Sequence, residues 1–378
     1  MPTIVPTRPD VPASLADVVP SALASLRGST NVLGLPRARS GVVLLVDGLG
    51  ASSLAQRKGH ARTLTATRGF LWSGFPSTTA AALATLTTGA LPGEHGLVGY
   101  TVLDPDHDRV VKQLSGWDDR MRPEDWPRRR PLFETADVAV HAVGAKRYRS
   151  SGLTHAILSG ASYVVAATLA DRVDRTLELV APGTEPSLVY LYVPELDMAA
   201  HRAGWQSDEW TGLLEGLDGE VRRLAVGLAP DVGLVVTADH GMVDVPEHRR
   251  RTFGQHPALV DGLRHVAGDP RLLHLHLEPD ASPTVRESFV AAWRAAEGER
   301  AWIVTRDEAV AAGWFGPVDP VVLPRLPDVL VAARRSVAWW DGRDRGGAPG
   351  DMVGHHGSWT DDETRVPLVR LGAWAPGT

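Results

Sequence analysis

The chain contains no cysteine. Disulfides, thiolate metal sites, iron–sulfur clusters and cysteine nucleophiles are thereby excluded. Any metal must be held by histidine, aspartate, glutamate or a hydroxyl, and 14 histidines are present to contribute. Lysine is scarce: Lys58, Lys112 and Lys146 are the only three among 39 basic residues. Positive charge is not in excess either. The formal net charge is -6, from 45 acidic against 39 basic residues, so neither a nucleic-acid polymer nor an anionic membrane is expected as partner. Long apolar runs are also missing. Stretches such as 41–46 and 163–170 fall far short of the roughly 20 residues that cross a bilayer. The first 28 residues have no basic segment leading into an unbroken apolar run, and Pro6, Pro9 and Pro12 punctuate them. No signal peptide is read there, and the cytoplasm is the expected compartment.

What is present is a globular composition, with 43% hydrophobic and 22% charged residues in 378. That length suits two to three domains or one large α/β unit with an insertion. Nothing in the sequence specifies an oligomeric state.

Three apolar runs end in acid: GVVLLVDG (41–48), SLVYLYVPELD (187–197) and DVGLVVTADHG (231–241). Continuous apolar runs suit strands buried on both faces. Between them lie helix-like segments, among them TAAALATLTTG after Ser77 and DEWTGLLEGLDGEVRRLAVGL at 208–228. The repeated strand, polar tip and helix predict a mostly parallel sheet with helices on both faces. Ligands gather beyond the carboxyl ends of such strands, where these runs deliver their aspartates. Residues 251–350 have a different pattern and predict a small α+β lobe inserted into a core formed by 1–250. Residues 351–378 predict a return to the core, and DRGGAPG (344–350) reads as a loop.

Five constellations could carry chemistry. Asp47 ends the first run between glycines; a buried carboxylate there needs a partner or a metal, although Asp-Gly is also a common turn signal. Phe75-Pro76-Ser77-Thr78-Thr79 opens a helix, which places hydroxyls among unpaired N–H groups; a plain N-cap is the simpler alternative. Asp197 and His201 stand four apart and would share one helical face, as half a metal site or as a surface pair. Asp239-His240-Gly241 sits at a strand tip. His355-His356-Gly357 lies in a glycine-flanked loop that could equally be solvent-exposed. Together these residues supply ligands for two divalent ions without sulfur. Trp314, Phe315, Trp339 and Trp340 are candidates to stack on a base or to form the core of the lobe.

In chain order, VVLLVDGLG, FPSTTAAALATLTTG, LPGEHGLVGY, YVPELDMAAH, TADHGM and GHHG resemble the alkaline phosphatase superfamily, and within it the nucleotide pyrophosphatase/phosphodiesterase family. The resemblance spans residues 42 to 357. It implies a three-layer α/β/α core and two divalent metals, usually zinc; carboxylate and imidazole also accept manganese or iron. One metal would take Asp47, Thr79, Asp239 and His240. The other would take Asp197, His201 and His356, the histidine directly before glycine. Thr79, three residues after Pro76, would be the nucleophile. Tyr100 falls where such phosphodiesterases carry an asparagine that touches a phosphoryl oxygen, so substrate binding is expected of it.

The implied activity is hydrolysis of phosphodiester or nucleotide pyrophosphate bonds in a small-molecule phosphate ester or nucleotide, through a covalent threonine intermediate. Phosphomonoesterase or phosphonate hydrolase activity on the same scaffold is the alternative. A metal-dependent phosphoglycerate mutase fits less well, because its large insert is not evident. A non-catalytic, metal-stabilised interaction domain is the reading from outside enzymology.

Overall fold

The computed structural model describes residues 5–7, 13–66, 69–343 and 350–376. Apart from Gly350, the loop signal at 344–350 lies outside the described residues, as do Pro9 and Pro12. Among the described residues no helix is long and apolar enough to cross a membrane.

The three apolar runs form neighbouring strands. Ser40–Val46 is buried at every position and pairs in parallel with Ser187–Val193 on one side and Val232–Thr237 on the other. Burial on both faces is the reason these strands carry no polar alternation. Ala139–Gly144 and Ser162–Val165 extend the sheet in parallel, and Val369–Gly372 closes the opposite edge antiparallel to Val232–Thr237. The fold is α/β with a central, mostly parallel sheet. Because the register aligns Val46 with Val193 and Leu45 with Thr237, the three acid-bearing tips leave the sheet at one edge. Two glycines permit the approach of those tips. Gly48 has φ +76, and a Cβ there would meet Asp197 Cα at 3.0 Å. At Gly241 it would lie 2.0 Å from the Asp362 carbonyl oxygen.

A second, antiparallel sheet has the order 301–305, 329–333, 272–277, 263–269, 101–104 and 109–112. Its strand Leu272–Leu277 alternates. Leu273, Leu275 and Leu277 enter a separate apolar cluster with Phe289 and Trp293 of the helix Pro283–Glu297, whereas Leu272 packs into the main core. The hairpin 101–112 joins this sheet through Thr101, which pairs with Gly268 and donates its hydroxyl to the Gly268 carbonyl at 2.9 Å. The sheet therefore draws on chain from both sides of residue 250, a link that boundaries at 250 and 350 do not anticipate. Trp314, Phe315 and Trp339 are at most 1% exposed. Trp314 and Phe315 pack on Phe75, with centroids 4.7 and 5.5 Å away. These three rings are core, and of the four aromatic candidates only Trp340 is half-buried.

A buried ion pair joins the two parts. Arg271, at the hairpin turn of the second sheet, donates Nε and Nη2 to the two Glu363 oxygens at 2.7 and 2.8 Å, and both side chains are wholly buried. Arg271 Nη1 also donates to the Arg335 and Val337 carbonyls, and Glu363 accepts from the Ser358 N–H. Removing one partner would strand a buried charge, which costs about 3–5 kcal/mol. Glu363→Ala should therefore lower the urea-unfolding free energy by about that amount. Replacing both residues with apolar side chains of similar volume should recover much of the loss, and chemical denaturation of the two variants checks both.

Candidate metal centre and active site

Asp47 follows directly from its strand, with its N–H donating to the Val193 carbonyl at 2.9 Å. One carboxylate oxygen, Oδ2, accepts the Tyr192 hydroxyl; the other, Oδ1, is buried with no hydrogen-bond partner. Asp239 is arranged alike. Its Oδ1 accepts the N–H groups of Gly48 and His240 at 3.1 and 3.0 Å, and its Oδ2 is left buried without a partner. Asp197, in the helix Glu195–Ala203, leaves Oδ1 in the same condition. Two buried carboxylates and the half-buried Asp197 thus each have one buried oxygen without a hydrogen-bond partner among the described residues. Burial, then Asp197 and Asp239, pushes the Asp47 pKa well above the usual carboxylate range. Burial also raises Asp239, with the opposing pull of His240 too small to cancel it.

Three imidazoles complete the cluster, and each has Nδ1 against a backbone carbonyl. His201 faces Gly354 at 2.8 Å, His240 faces Gly241 at 3.0 Å and His356 faces Ser77 at 2.8 Å. A carbonyl can only accept, so Nδ1 carries the proton and Nε2 presents a lone pair. His240 Nε2 lies 3.4 Å from Asp47 Oδ1, 3.5 Å from Asp239 Oδ2 and 3.2 Å from the Thr79 hydroxyl. His201 Nε2 lies 3.2 Å and His356 Nε2 4.0 Å from Asp197 Oδ1. The sets Asp197, His201, His356 and Asp47, Asp197, His240 each keep their ligand atoms within 4.8 Å of one another. The His240 and His356 rings stack at 3.6 Å, so the two sets adjoin. Burial pulls the His201 imidazole down, but Asp197 and the Gly354 carbonyl outweigh it and the net shift is upward. Burial, then His240 and His201, drives His356 well below its usual value. Carboxylate oxygens without a hydrogen-bond partner that face imidazole Nε2 atoms are the donor set that a borderline divalent ion requires.

Thr79 is the first residue of the helix Thr79–Thr88, with Thr78 extended before it at φ -121 and ψ 145. Its hydroxyl therefore stands at the positive helix end and beside the carboxylates at once. Residues 80–87 of this helix are all buried. Ser77 fixes the loop that brings His356: its Oγ donates to the Ser358 carbonyl at 2.7 Å and accepts the Gly357 N–H at 3.1 Å.

Thr79, Asp47, Asp239, His240, Asp197, His201 and His356 are thus brought together. His355 is not; its Nε2 faces the Met352 carbonyl at 3.2 Å. Tyr100 meets the site through its backbone, whose N–H bonds to the Asp269 carboxylate. Its ring lies 5.9 Å from the Lys112 ammonium, and among the described residues its hydroxyl forms no hydrogen bond to Thr79 or to the six acidic and histidine side chains. Two features were missed from the sequence. Tyr192, whose hydroxyl holds Asp47, reads only as strand core. Asp269 is a half-buried residue whose Oδ2 is buried and unpaired among the described residues, its carboxyl pushed up to about 7 by desolvation against the pull of His201 and the Tyr100 N–H. Its position at a hairpin turn gave no sign of proximity to His201.

Beside Thr79 and Asp47 opens a cavity of about 200 Å³, walled by Leu83, Leu153, Ile157, Tyr148, Tyr163 and Tyr190. Its apolar walls can seat an organic group next to the hydroxyl.

The family profile described as type I phosphodiesterase / nucleotide pyrophosphatase matches residues 41–359. An uncharacterized pyrophosphatase/phosphodiesterase of Schizosaccharomyces pombe is 28% identical over 210 residues, covering 52% of this chain. The match spans 41% of that relative's length, less than half. Murine ectonucleotide pyrophosphatase/phosphodiesterase 5, as an inactive threonine-to-alanine variant in complex with AMP, superposes with TM-score 0.68 at 16% identity over 88% of each chain. Phosphonoacetate hydrolase of Sinorhizobium meliloti, in complex with phosphonoacetate, superposes with TM-score 0.68 at 17% identity, over 89% of this chain and 91% of its own. At these identities the two structures speak to the fold.

Metal binding should be measurable without turnover. Two equivalents of zinc should bind chelator-treated protein, and His356→Ala should retain one; elemental analysis after gel filtration reads the stoichiometry. Zinc at about a thousandfold over its dissociation constant should stabilise the fold by about 4 kcal/mol. Affinity should fall with falling pH, because the raised pKa of Asp47 lets protons compete for that carboxylate sooner. Calorimetric titration across pH checks the sign.

Proposed function

Because the chain belongs to the type I phosphodiesterase/nucleotide pyrophosphatase family, we propose that it is a two-metal hydrolase of small-molecule phosphate esters, cleaving phosphodiester or nucleotide pyrophosphate bonds. The observation that carries this reading is the Thr79 hydroxyl, 3.2 Å from His240 Nε2 among the free oxygens of Asp47 and Asp239. Asp47, Thr79, Asp239 and His240 would hold one divalent ion, and Asp197, His201 and His356 the other. When bound, such ions lower the pKa of a coordinated hydroxyl and offset the charge of a transferring phosphoryl group.

The chain's own residues supply the rest. The helix end orients Thr79 Oγ for in-line attack on phosphorus. As the Thr79 Oγ–P bond forms, the bond from phosphorus to the leaving oxygen breaks, and the hydroxyl proton passes to solvent. Water then cleaves the phosphoryl-threonine and restores the hydroxyl. The Nδ1–H bonds to Gly354, Gly241 and Ser77 keep the imidazoles oriented through both steps. The cavity beside Thr79 would seat the organic part of the ester.

Thr79→Ala should keep its bound metal yet lose turnover by at least about a thousandfold in kcat. Acid-quenched wild-type enzyme should carry phosphate on the peptide containing Thr79. A metal-reconstituted panel of monoesters, diesters, pyrophosphates and phosphonates, including phosphonoacetate, tests the activity. Hydrolysis of none would overturn the reading, and full activity of Thr79→Ala would overturn the nucleophile.

A further inference from the structure

The strand Ala139–Gly144 ends at the ligand-facing edge of the core sheet and runs into a single 3₁₀ turn, Lys146–Tyr148. This turn and the residue after it carry Lys146, Arg147 and Arg149, all exposed, and among the described residues none of the three forms an ion pair. Nearby arginines do: Arg172 pairs with Glu195, Arg175 with Glu178 and Arg223 with Asp174. One of the chain's three lysines is spent here.

Arg147 is not loose. Its guanidinium lies 4.8 Å from the Tyr148 ring centroid, and Nη2 donates to the Tyr148 hydroxyl at 2.9 Å and to Met198 Sδ at 3.1 Å. Both partners are neutral, so the charge is held in place but not compensated. Both also line the cavity that contains Thr79 and Asp47. Tyr148 stands edge-on to Tyr192, 5.5 Å between centroids, and Tyr192 holds Asp47. Arg147 therefore contacts two residues of the wall of the cavity that Thr79 also lines. The cavity is about 200 Å³; an apolar cavity of about 150 Å³ admits benzene, so one ring fits.

We infer that the 146–149 turn is an anion-recognising lip, in which Arg147 selects substrates whose cavity-seated organic group carries a second negative charge, a carboxylate or a phosphate, beyond the scissile phosphorus. The inference rests on the proposed phosphate-ester hydrolysis. Guanidinium recognises either anion through paired N–H donors, and a substrate lacking the second charge leaves Arg147 as it is.

The test compares aryl nitrophenyl phosphates that share one leaving group and differ in the second ring: phenyl, 4-carboxyphenyl or 4-phosphonophenyl. Wild type should favour the charged rings over phenyl in kcat/KM by at least tenfold, mainly through KM. Arg147→Ala should collapse that ratio to near one, Arg147→Lys should give an intermediate ratio, and the distant Lys58→Ala should leave it unchanged. Preference for one charged ring alone identifies carboxylate or phosphate as the recognised group. A wild-type ratio near one, or a ratio that survives Arg147→Ala, overturns the lip. The same comparison without turnover uses phenylphosphonate and 4-carboxyphenyl- and 4-phosphonophenylphosphonate, bound to metal-loaded Thr79→Ala and followed by calorimetry. If wild type hydrolyses none of the esters, the proposed activity fails, while this binding series still decides the lip: equal affinity for all three ligands overturns it.

Discussion

The structure depends on the mutual repulsion of Asp47, Asp197 and Asp239. Each has a buried oxygen that no protein donor satisfies, and two of the three resist ionisation for that reason. A fold does not keep such an arrangement for stability, since apolar groups in the same space would serve better. A bound cation would make the cluster favourable, and the acidic and histidine side chains here could hold one. The surrounding contacts prevent the carboxylates from relaxing away: the Tyr192 hydroxyl on Asp47, two backbone N–H groups on Asp239, and three carbonyls that fix the imidazole tautomers.

Much of this was legible in the sequence, for physical reasons. A strand buried on both faces reads as an unbroken apolar run, and an acid ending such a run has no innocuous place to go. That logic located Asp47 and Asp239. The four-residue interval placed Asp197 and His201 on one helix face, and the observed helix Glu195–Ala203 contains both. The central, mostly parallel sheet followed from the alternation of strand and helix. Less legible was anything that depends on a side chain's direction. Tyr163, Tyr190 and Tyr192 fall in apolar runs, yet together with Tyr148 they line one cavity. Trp314, Phe315 and Trp339 looked available for stacking but fill the core, because large rings are buried wherever space allows. Partners distant in sequence were invisible, as with Thr101 and Gly268, or Arg271 and Glu363.

The pair Arg271–Glu363 has a consequence beyond holding two sheets together. Glu363 accepts the N–H of Ser358, and Ser358 belongs to the loop that delivers His356. Ser77, two residues before Thr79, binds the same loop from the other side. The last imidazole is therefore positioned jointly by the second sheet and by the segment that carries the hydroxyl. A shift of the second sheet would move His356 relative to Asp197, which makes that sheet part of the site's geometry although it contributes no ligand.

Charge is distributed with the same economy. Three carboxylates would offset most of the charge of the two divalent ions proposed, so a site loaded in that way would have little positive charge left over to attract anything beyond a phosphoryl group. A net charge of -6 makes approach of a multiply charged substrate less favourable still. Attraction for a further anionic group must then come from cations outside the ligand set. Among the described residues Lys146, Arg147 and Arg149 carry no paired acid, and Arg147 is held against two side chains of the cavity wall. On the proposed reading the division of labour follows from electrostatics: the acidic cluster would set where phosphorus sits, and the basic turn would distinguish what is attached to it.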